Sequence, residues 1–153
     1  MSLRLTNTLT GQKEELRSIH PPQVTLYVCG ITVYDECHVG HARGAVVFDM
    51  LRRYLEFQGF EVKHVRNITD VDDKIIERAK TGSPTDLKAA CRTIAQRYEA
   101  SFQRDFASLG LLAPHQEPRA TEYIPKMVGF IQTLVDRGVA YSAADGVYCS
   151  VRK

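Results

Sequence analysis

The run from Val24 to Asn67 limits the fold more than any other part of the chain. Val24-Thr25-Leu26-Tyr27-Val28-Cys29 is β-branched, aromatic and largely apolar. It lies between Pro21-Pro22 and Gly30, and predicts a buried central strand. From His41 the pattern turns helical, with Ala45, Phe48, Leu51 and Leu55 at steps of three or four. Polar Asp49, Arg52, Arg53 and Glu56 stand between them, and Gly59 ends the run. Phe60 to Asn67, carrying Val62 and Val65, then reads as a second strand. Strand, helix and strand make a right-handed βαβ unit with parallel strands, so the fold class is α/β. Ligands of such units favour the carboxyl ends of the strands, which sets the loops after Cys29 and after Asn67 around one crevice.

The remainder continues this alternation. Asp72 or Asp73 is expected to cap a short helix carrying Ile75, Ile76 and Ala79, and Ser83-Pro84 to open a long one. In the long helix Leu87, Cys91, Ile94, Tyr98, Phe102, Phe106 and Leu109 keep helical spacing up to Gly110. Thr121 is expected to cap a further amphipathic helix through Ile124, Val128, Ile131 and Val135, with Met127 in its core. Asp145-Gly146 marks a turn between two short strands near the C-terminus.

Composition narrows the function classes. With 20 Lys+Arg against 18 Asp+Glu the net charge is only +2, which does not by itself select a nucleic-acid partner. Cys29, Cys37, Cys91 and Cys149 show no paired spacing, so no disulfide framework is expected. No stretch approaches the roughly eighteen apolar residues of a membrane span, and the start lacks a secretion profile. A cytoplasmic protein with no membrane partner is the expectation.

The loop from Cys29 to His41 carries most of the chemistry. A strand-to-helix turn offers unpaired backbone N–H groups and the positive end of the helix dipole, and Gly40 permits close approach by a phosphate. His38 and His41 add donors that favour the charge developing as pyrophosphate leaves. The bland alternative is two surface histidines at a helix cap. Neither a G-x-G-x-x-G nor a Walker loop is present. Cys29 reads either as a metal ligand on the active face or as a small residue finishing a strand; Cys29, Cys37, His38 and His41 lack zinc-finger spacing. The second loop, Asn67 to Lys74, gathers Thr69, Asp70, Asp72 and Asp73, which suits Mg2+, a substrate amine, or plain helix capping. His20, His64 and His115 read as positions without function.

Several long segments in order resemble the amino-terminal part of the cysteinyl-tRNA synthetases, class I aminoacyl-tRNA synthetases. They are Thr6-Asn7-Thr8-Leu9-Thr10 with Gln12-Lys13-Glu14, then Tyr27 to Asp35, His38-Val39-Gly40-His41-Ala42-Arg43, Val65 to Ile76, and Glu117-Pro118-Arg119-Ala120-Thr121. The resemblance implies a Rossmann-like parallel sheet spanning residues 1–153 as the first part of a catalytic domain, with a connecting insert beginning near residue 139. It implies His38 and His41 as catalytic residues and His38, Gly40 and His41 as the ATP-binding signature. It further implies Cys29, Gly30, Thr32 and Thr69 around the substrate cysteine, and Cys29 as one zinc ligand. ATP, Mg2+ and Zn2+ follow as cofactors, and cysteine and tRNA(Cys) as partners.

The family's Lys-Met-Ser-Lys-Ser signature does not occur, and Lys126-Met127-Val128-Gly129 is no substitute. The remaining zinc ligands of the family fall beyond residue 153. The chain is therefore expected to be a piece carrying half of a site, inactive alone, with an exposed sheet edge open to self-association. Alternatives are a cysteine-activating ligase with an amino-sugar acceptor and a non-catalytic nucleotide-binding module.

Overall fold

The computed structural model describes residues 3–151. The chain opens with β1 (Arg4–Asn7) and β2 (Gln12–Glu15), then runs through β3 (Gln23–Val28), α1 (Val39–Phe57), β4 (Glu61–Arg66), α2 (Asp73–Lys80) and α3 (Leu87–Ser108). It finishes with α4 (Ala120–Asp136), β5 (Ala140–Ala143) and β6 (Gly146–Cys149). The α/β class holds, and β3, α1 and β4 form the expected βαβ unit, with β3 and β4 parallel. The other two sheets are antiparallel hairpins, β1 with β2 and β5 with β6. The second hairpin was expected from Asp145-Gly146; the first was not.

Val24, Leu26 and Val28 pair with Val62, His64 and Arg66, which sets these six side chains on one face. The expectation of a fully buried central strand is corrected here. Gln23, Thr25 and Tyr27 are exposed, because among the described residues β3 has a strand partner on only one side and a covered face on only one side. The sheet does continue beyond β4. His115 N–H donates to His64 O at 2.8 Å, Arg66 N–H to Gln116 O at 3.0 Å and Ile68 N–H to Pro118 O at 2.9 Å, so segment 115–119 lies parallel alongside β4. Past the end of β3 the ladder resumes, with Thr69 N–H donating to Ile31 O at 3.1 Å and Val33 N–H to Thr69 O at 3.2 Å.

The core is gathered from both loops and two helices: Val33, Ile68, Ile75, Ala95, Tyr98, Phe102 and Phe106. Burying each large side chain of this set contributes about 1.5–3 kcal/mol. The same residues thus bring the two strand-end loops against α2 and α3.

Several sequence expectations are corrected by competing polar contacts. Asp49 and Arg52, placed on the solvated face of α1, are buried. Asp49 accepts the Leu112 N–H at 2.9 Å and Arg52 donates to Ala113 O at 2.8 Å, clasping the chain that follows α3. Asp86, not Ser83, caps α3, accepting the Ala89 N–H at 3.0 Å. Arg119, not Thr121, is the N-cap of α4. That helix buries none of its residues, and Met127 is 46% exposed rather than in a core. Asp72 caps α2 as expected, accepting the Lys74 N–H at 3.0 Å. All four cysteines are free thiols. Among the described residues no helix is long and apolar enough to cross a membrane.

Candidate phosphate and substrate site at the strand ends

The first turn of α1 is built from its own histidines. His38 is the N-cap, and its Nδ1 accepts the Gly40 N–H at 3.1 Å. His41, three positions on, accepts the His38 N–H through its Nδ1 at 3.3 Å, which completes a reciprocal capping box. The two rings stack with centroids 3.8 Å apart. Gly40 makes this possible, since a Cβ there would meet His38 Cε1 at 2.9 Å and Nδ1 at 3.0 Å.

These contacts decide the protonation chemistry. An Nδ1 that accepts an N–H carries no proton, so each neutral ring bears its hydrogen on Nε2 and presents a donor. Burial, and then the neighbouring His38, push the pKa of His41 down and hold it neutral. The first turn of α1 carries no acidic side chain, so nothing on the helix competes with an incoming anion. The two readings of H-x-G-H are therefore compatible: the same imidazoles cap the helix through Nδ1, and Nε2 takes no part in the cap.

The residues assigned to the amino-acid side are brought together at the strand ends. Asn67 is the tie between them. Its Oδ1 accepts the Gly30 N–H at 2.7 Å and the Tyr27 hydroxyl at 2.9 Å, while its Nδ2 donates to Thr69 Oγ1 at 3.1 Å. Thr32 and Thr69 face each other as a parallel bridge. Gly30 is required by the close approach, because a Cβ there would fall 1.5 Å from Asn67 O. Sequence reasoning missed Asn67 as a site residue. The available signal was a short amide at a strand end, a residue type that bonds nearby backbone readily.

Cys29 is exposed, which corrects the reading of a small residue buried at a strand end. With Gly30, Gly40 and His41 it borders a cavity of about 190 Å³ that runs between α1 and β4. His64 and Arg66 line this cavity from β4, and Phe48 and Asp49 from α1. His38 instead borders a separate hollow with Cys37 and Asp105.

The donor set does not amount to a metal site. Among the described residues no three His, Cys, Asp or Glu side chains converge as ligands would. Cys37 is half-buried, and burial together with Asp105 and Glu36 pushes its thiol pKa up, away from the thiolate a metal needs. The acidic loop is spent on structure: Asp70 accepts both the N–H of Thr121, at 2.9 Å, and its hydroxyl, and Asp72 caps α2.

A larger cleft of about 700 Å³ lies between α2, α3 and the start of α4, floored by Ile75, Cys91 and Ala95. None of the residues assigned to the phosphate or amino-acid side lines it.

Residues 15–153 match the family of class I (C) tRNA synthetase catalytic domains. The chain is 52% identical over 153 residues to a cysteine–tRNA ligase of Syntrophobacter fumaroxidans. It is 53% identical over 152 residues to that of Geobacter sulfurreducens and 51% identical over 153 to that of Aquifex aeolicus. These alignments cover 99–100% of the chain but only 30% of each relative's length. A solved chain from Campylobacter jejuni described as an arginyl tRNA synthetase shares the fold, with TM-score 0.64 at 12% identity over 82% of this chain and 37% of its own. With the match running over nearly the whole of its length, the chain belongs to the family of class I (C) tRNA synthetase catalytic domains.

Proposed function

We propose that this chain forms the phosphate-binding part of a cysteine–tRNA ligase, in which ATP and cysteine give cysteinyl-adenylate and pyrophosphate before transfer to tRNA(Cys). The observation that carries the reading is the His38/His41 capping box, which engages Nδ1 of both imidazoles and leaves Nε2 out of the cap at the positive end of α1. Such donors act on charge that grows as the pyrophosphate leaves, and neither acts as a base. The β3, α1, β4 and 115–119 arrangement is the beginning of a Rossmann-like sheet, and residues 1–153 are its first part, with the connecting insert starting near residue 139.

On the amino-acid side, Gly30, Thr32 and Thr69 form the wall that would face the substrate, held by Asn67. Cys29 offers an exposed thiol there. A structural or catalytic zinc takes three or four protein donors, and the described residues supply one, so Cys29 is proposed only as a contributor to a shared site and no step is routed through zinc. Mg2+ would arrive with ATP, since Asp70 and Asp72 are occupied as caps. On this reading the chain works in translation, in the cytoplasm; the relatives' names support the translational role.

The test is cysteine-dependent exchange of pyrophosphate into ATP by the polypeptide carrying this domain, with and without His41→Ala. Loss of one preorganised donor of this type costs about 10²–10³ in rate. Exchange that persists undiminished in the variant would reject the assignment. ATP binding without any exchange in the parent polypeptide would make the domain a nucleotide-binding module only.

A further inference from the structure

The carboxamide of Asn67 fits its surroundings in one orientation only. The Gly30 N–H is a donor, so the atom that meets it at 2.7 Å is the carbonyl oxygen Oδ1. The Tyr27 hydroxyl, 2.9 Å from the same oxygen, must donate to it as well, which fills both lone pairs. The amide nitrogen Nδ2 is left on the other side, where it donates to Thr69 Oγ1 at 3.1 Å. These hydrogen bonds therefore run one way, from Tyr27 through Asn67 to Thr69.

That direction fixes what Thr69 has left to offer. Its main chain is engaged on both sides, the N–H donating to Ile31 O at 3.1 Å and the carbonyl accepting the Val33 N–H at 3.2 Å. Its hydroxyl accepts from Asn67, and among the described residues no acceptor takes its own proton. Thr32, opposite it in the parallel bridge, is not hydrogen-bonded to that hydroxyl. Thr69 is half-buried at the carboxyl ends of the two strands, where ligands of a βαβ unit bind. A hydroxyl that already accepts a hydrogen bond is polarised into a better donor, so the unclaimed proton is the group this position presents.

The chemistry of an amino acid leaves one good match. Its ammonium group only donates and its thiol is a weak acceptor, whereas each carboxylate oxygen is a strong acceptor. We propose that Asn67 is a positioning residue that sets Thr69 as the hydrogen-bond donor to a carboxylate oxygen of the bound amino acid. The proposal rests on the amino-acid site described under the proposed function, whereas the Asn67–Thr69 bond belongs to the chain itself.

Asn67→Asp separates direction from packing. An ionised aspartate of nearly the same shape still accepts from Gly30 and Tyr27, but its second oxygen can only accept and so draws the Thr69 proton inward. In cysteine-dependent pyrophosphate exchange by the polypeptide carrying this domain, the variant should raise the KM for cysteine at least about tenfold and leave that for ATP within about twofold. Thr69→Val should do the same, and Asn67→Asp added to it should do nothing more, since the proton is already gone. Thr69→Ser, which keeps the hydroxyl, should keep the parent KM. A rise caused by Asn67→Asp that is as large in the Thr69→Val background as in the parent would trace the effect to the new charge and overturn the proposal. An unchanged KM for cysteine in a folded Asn67→Asp polypeptide would overturn it too, as would an equal loss of inhibition by cysteamine, which has no carboxylate.

The hydrogen bond itself is read on the ligand-free 153-residue chain by 1H–15N spectra. Thr69→Val should move the Asn67 side-chain amide proton upfield while the Gly30 amide proton stays in place, and an unmoved Asn67 amide in that folded variant would overturn the proposal. A parent polypeptide that shows no exchange, together with the expected Asn67 shift, would reject the amino-acid site and its carboxylate contact while the Asn67–Thr69 bond stands.

Discussion

Asn67 Oδ1 accepts the Gly30 N–H at 2.7 Å at the place where the two parallel strand ends come closest, a Cβ on residue 30 falling 1.5 Å from Asn67 O. Removing the carboxamide in Asn67→Ala leaves the Gly30 N–H and the Tyr27 hydroxyl without this acceptor. A loss of about 1–3 kcal/mol is expected, read as a lower urea midpoint at unchanged slope.

Gly30→Ala is expected to cost more than Asn67→Ala, because backbone rather than a flexible side chain must yield. Amide hydrogen exchange reports it directly. Val33 and Thr69, whose N–H groups bridge the strands just beyond, should lose protection first. Parent-like protection at both amides in the variant would contradict the close approach.

The two functions of the α1 cap separate by mutation. His38→Ala removes an N-cap acceptor and is expected to lower stability by only about 1 kcal/mol. The same variant, and His41→Ala, should weaken pyrophosphate binding at least about tenfold, since a charge-assisted donor is lost in each. Calorimetric titration beside thermal melting distinguishes the two effects, and a variant that melts early yet binds pyrophosphate normally would refute the donor role.

Acid should destabilise the chain through its histidines. Burial and His38 lower the pKa of His41. Burial, with Arg66, Arg52 and His115, lowers that of His64 against the opposing pull of Asp49. The unfolded chain therefore takes up protons first as the pH falls below the ordinary histidine value of 6.5. Stability from these groups is complete above that value and declines below it. His64→Phe should show a shallower decline between about pH 7 and pH 5 in denaturant titrations, one proton fewer being linked to unfolding.

Glu99 is buried and is held by Arg119, whose Nε donates to it at 3.1 Å and whose terminal nitrogen makes a second, shorter contact. Arg119→Ala removes the partner of that carboxylate beside an open cleft, and about 1–3 kcal/mol is the expected loss. Arg119→Met with Glu99→Gln should recover much of it. A single Arg119→Ala chain as stable as the parent would show that the carboxylate has another partner.

The βαβ unit was readable because its signals are local: an apolar strand, a 3.6-residue period and a terminating glycine all lie within about forty-five residues of each other. The cap formed by His38 and His41 at the start of α1 was readable for the same reason. What escaped was set by partners distant in sequence. Asp49 and Arg52 look like a wet helix face until the 112–113 backbone needs acceptors and donors. Ser83 and Thr121 are good capping residues by type, and each lost the position to a neighbour, Asp86 within its own turn and Arg119 through Glu99. Asp70, suited by type to a cation, was claimed by Thr121 fifty-one positions away. The α4 stripe has correct spacing and no covering element among the described residues, so amphipathicity there predicted a helix but not a core.

Segment 115–119 joins β4 only after α2 and α3 have been traversed, with His64 and His115 separated by fifty-one residues. For a chain emerging from the ribosome, β4 keeps one flank unsatisfied until those five residues appear. The early βαβ unit can form as it is made, yet the second flank of β4 is paired late, at the entropic cost of a long loop. Assembly order is thereby written into the topology: the phosphate-side turn matures first, and the segment that secures β4 joins it only after two intervening helices.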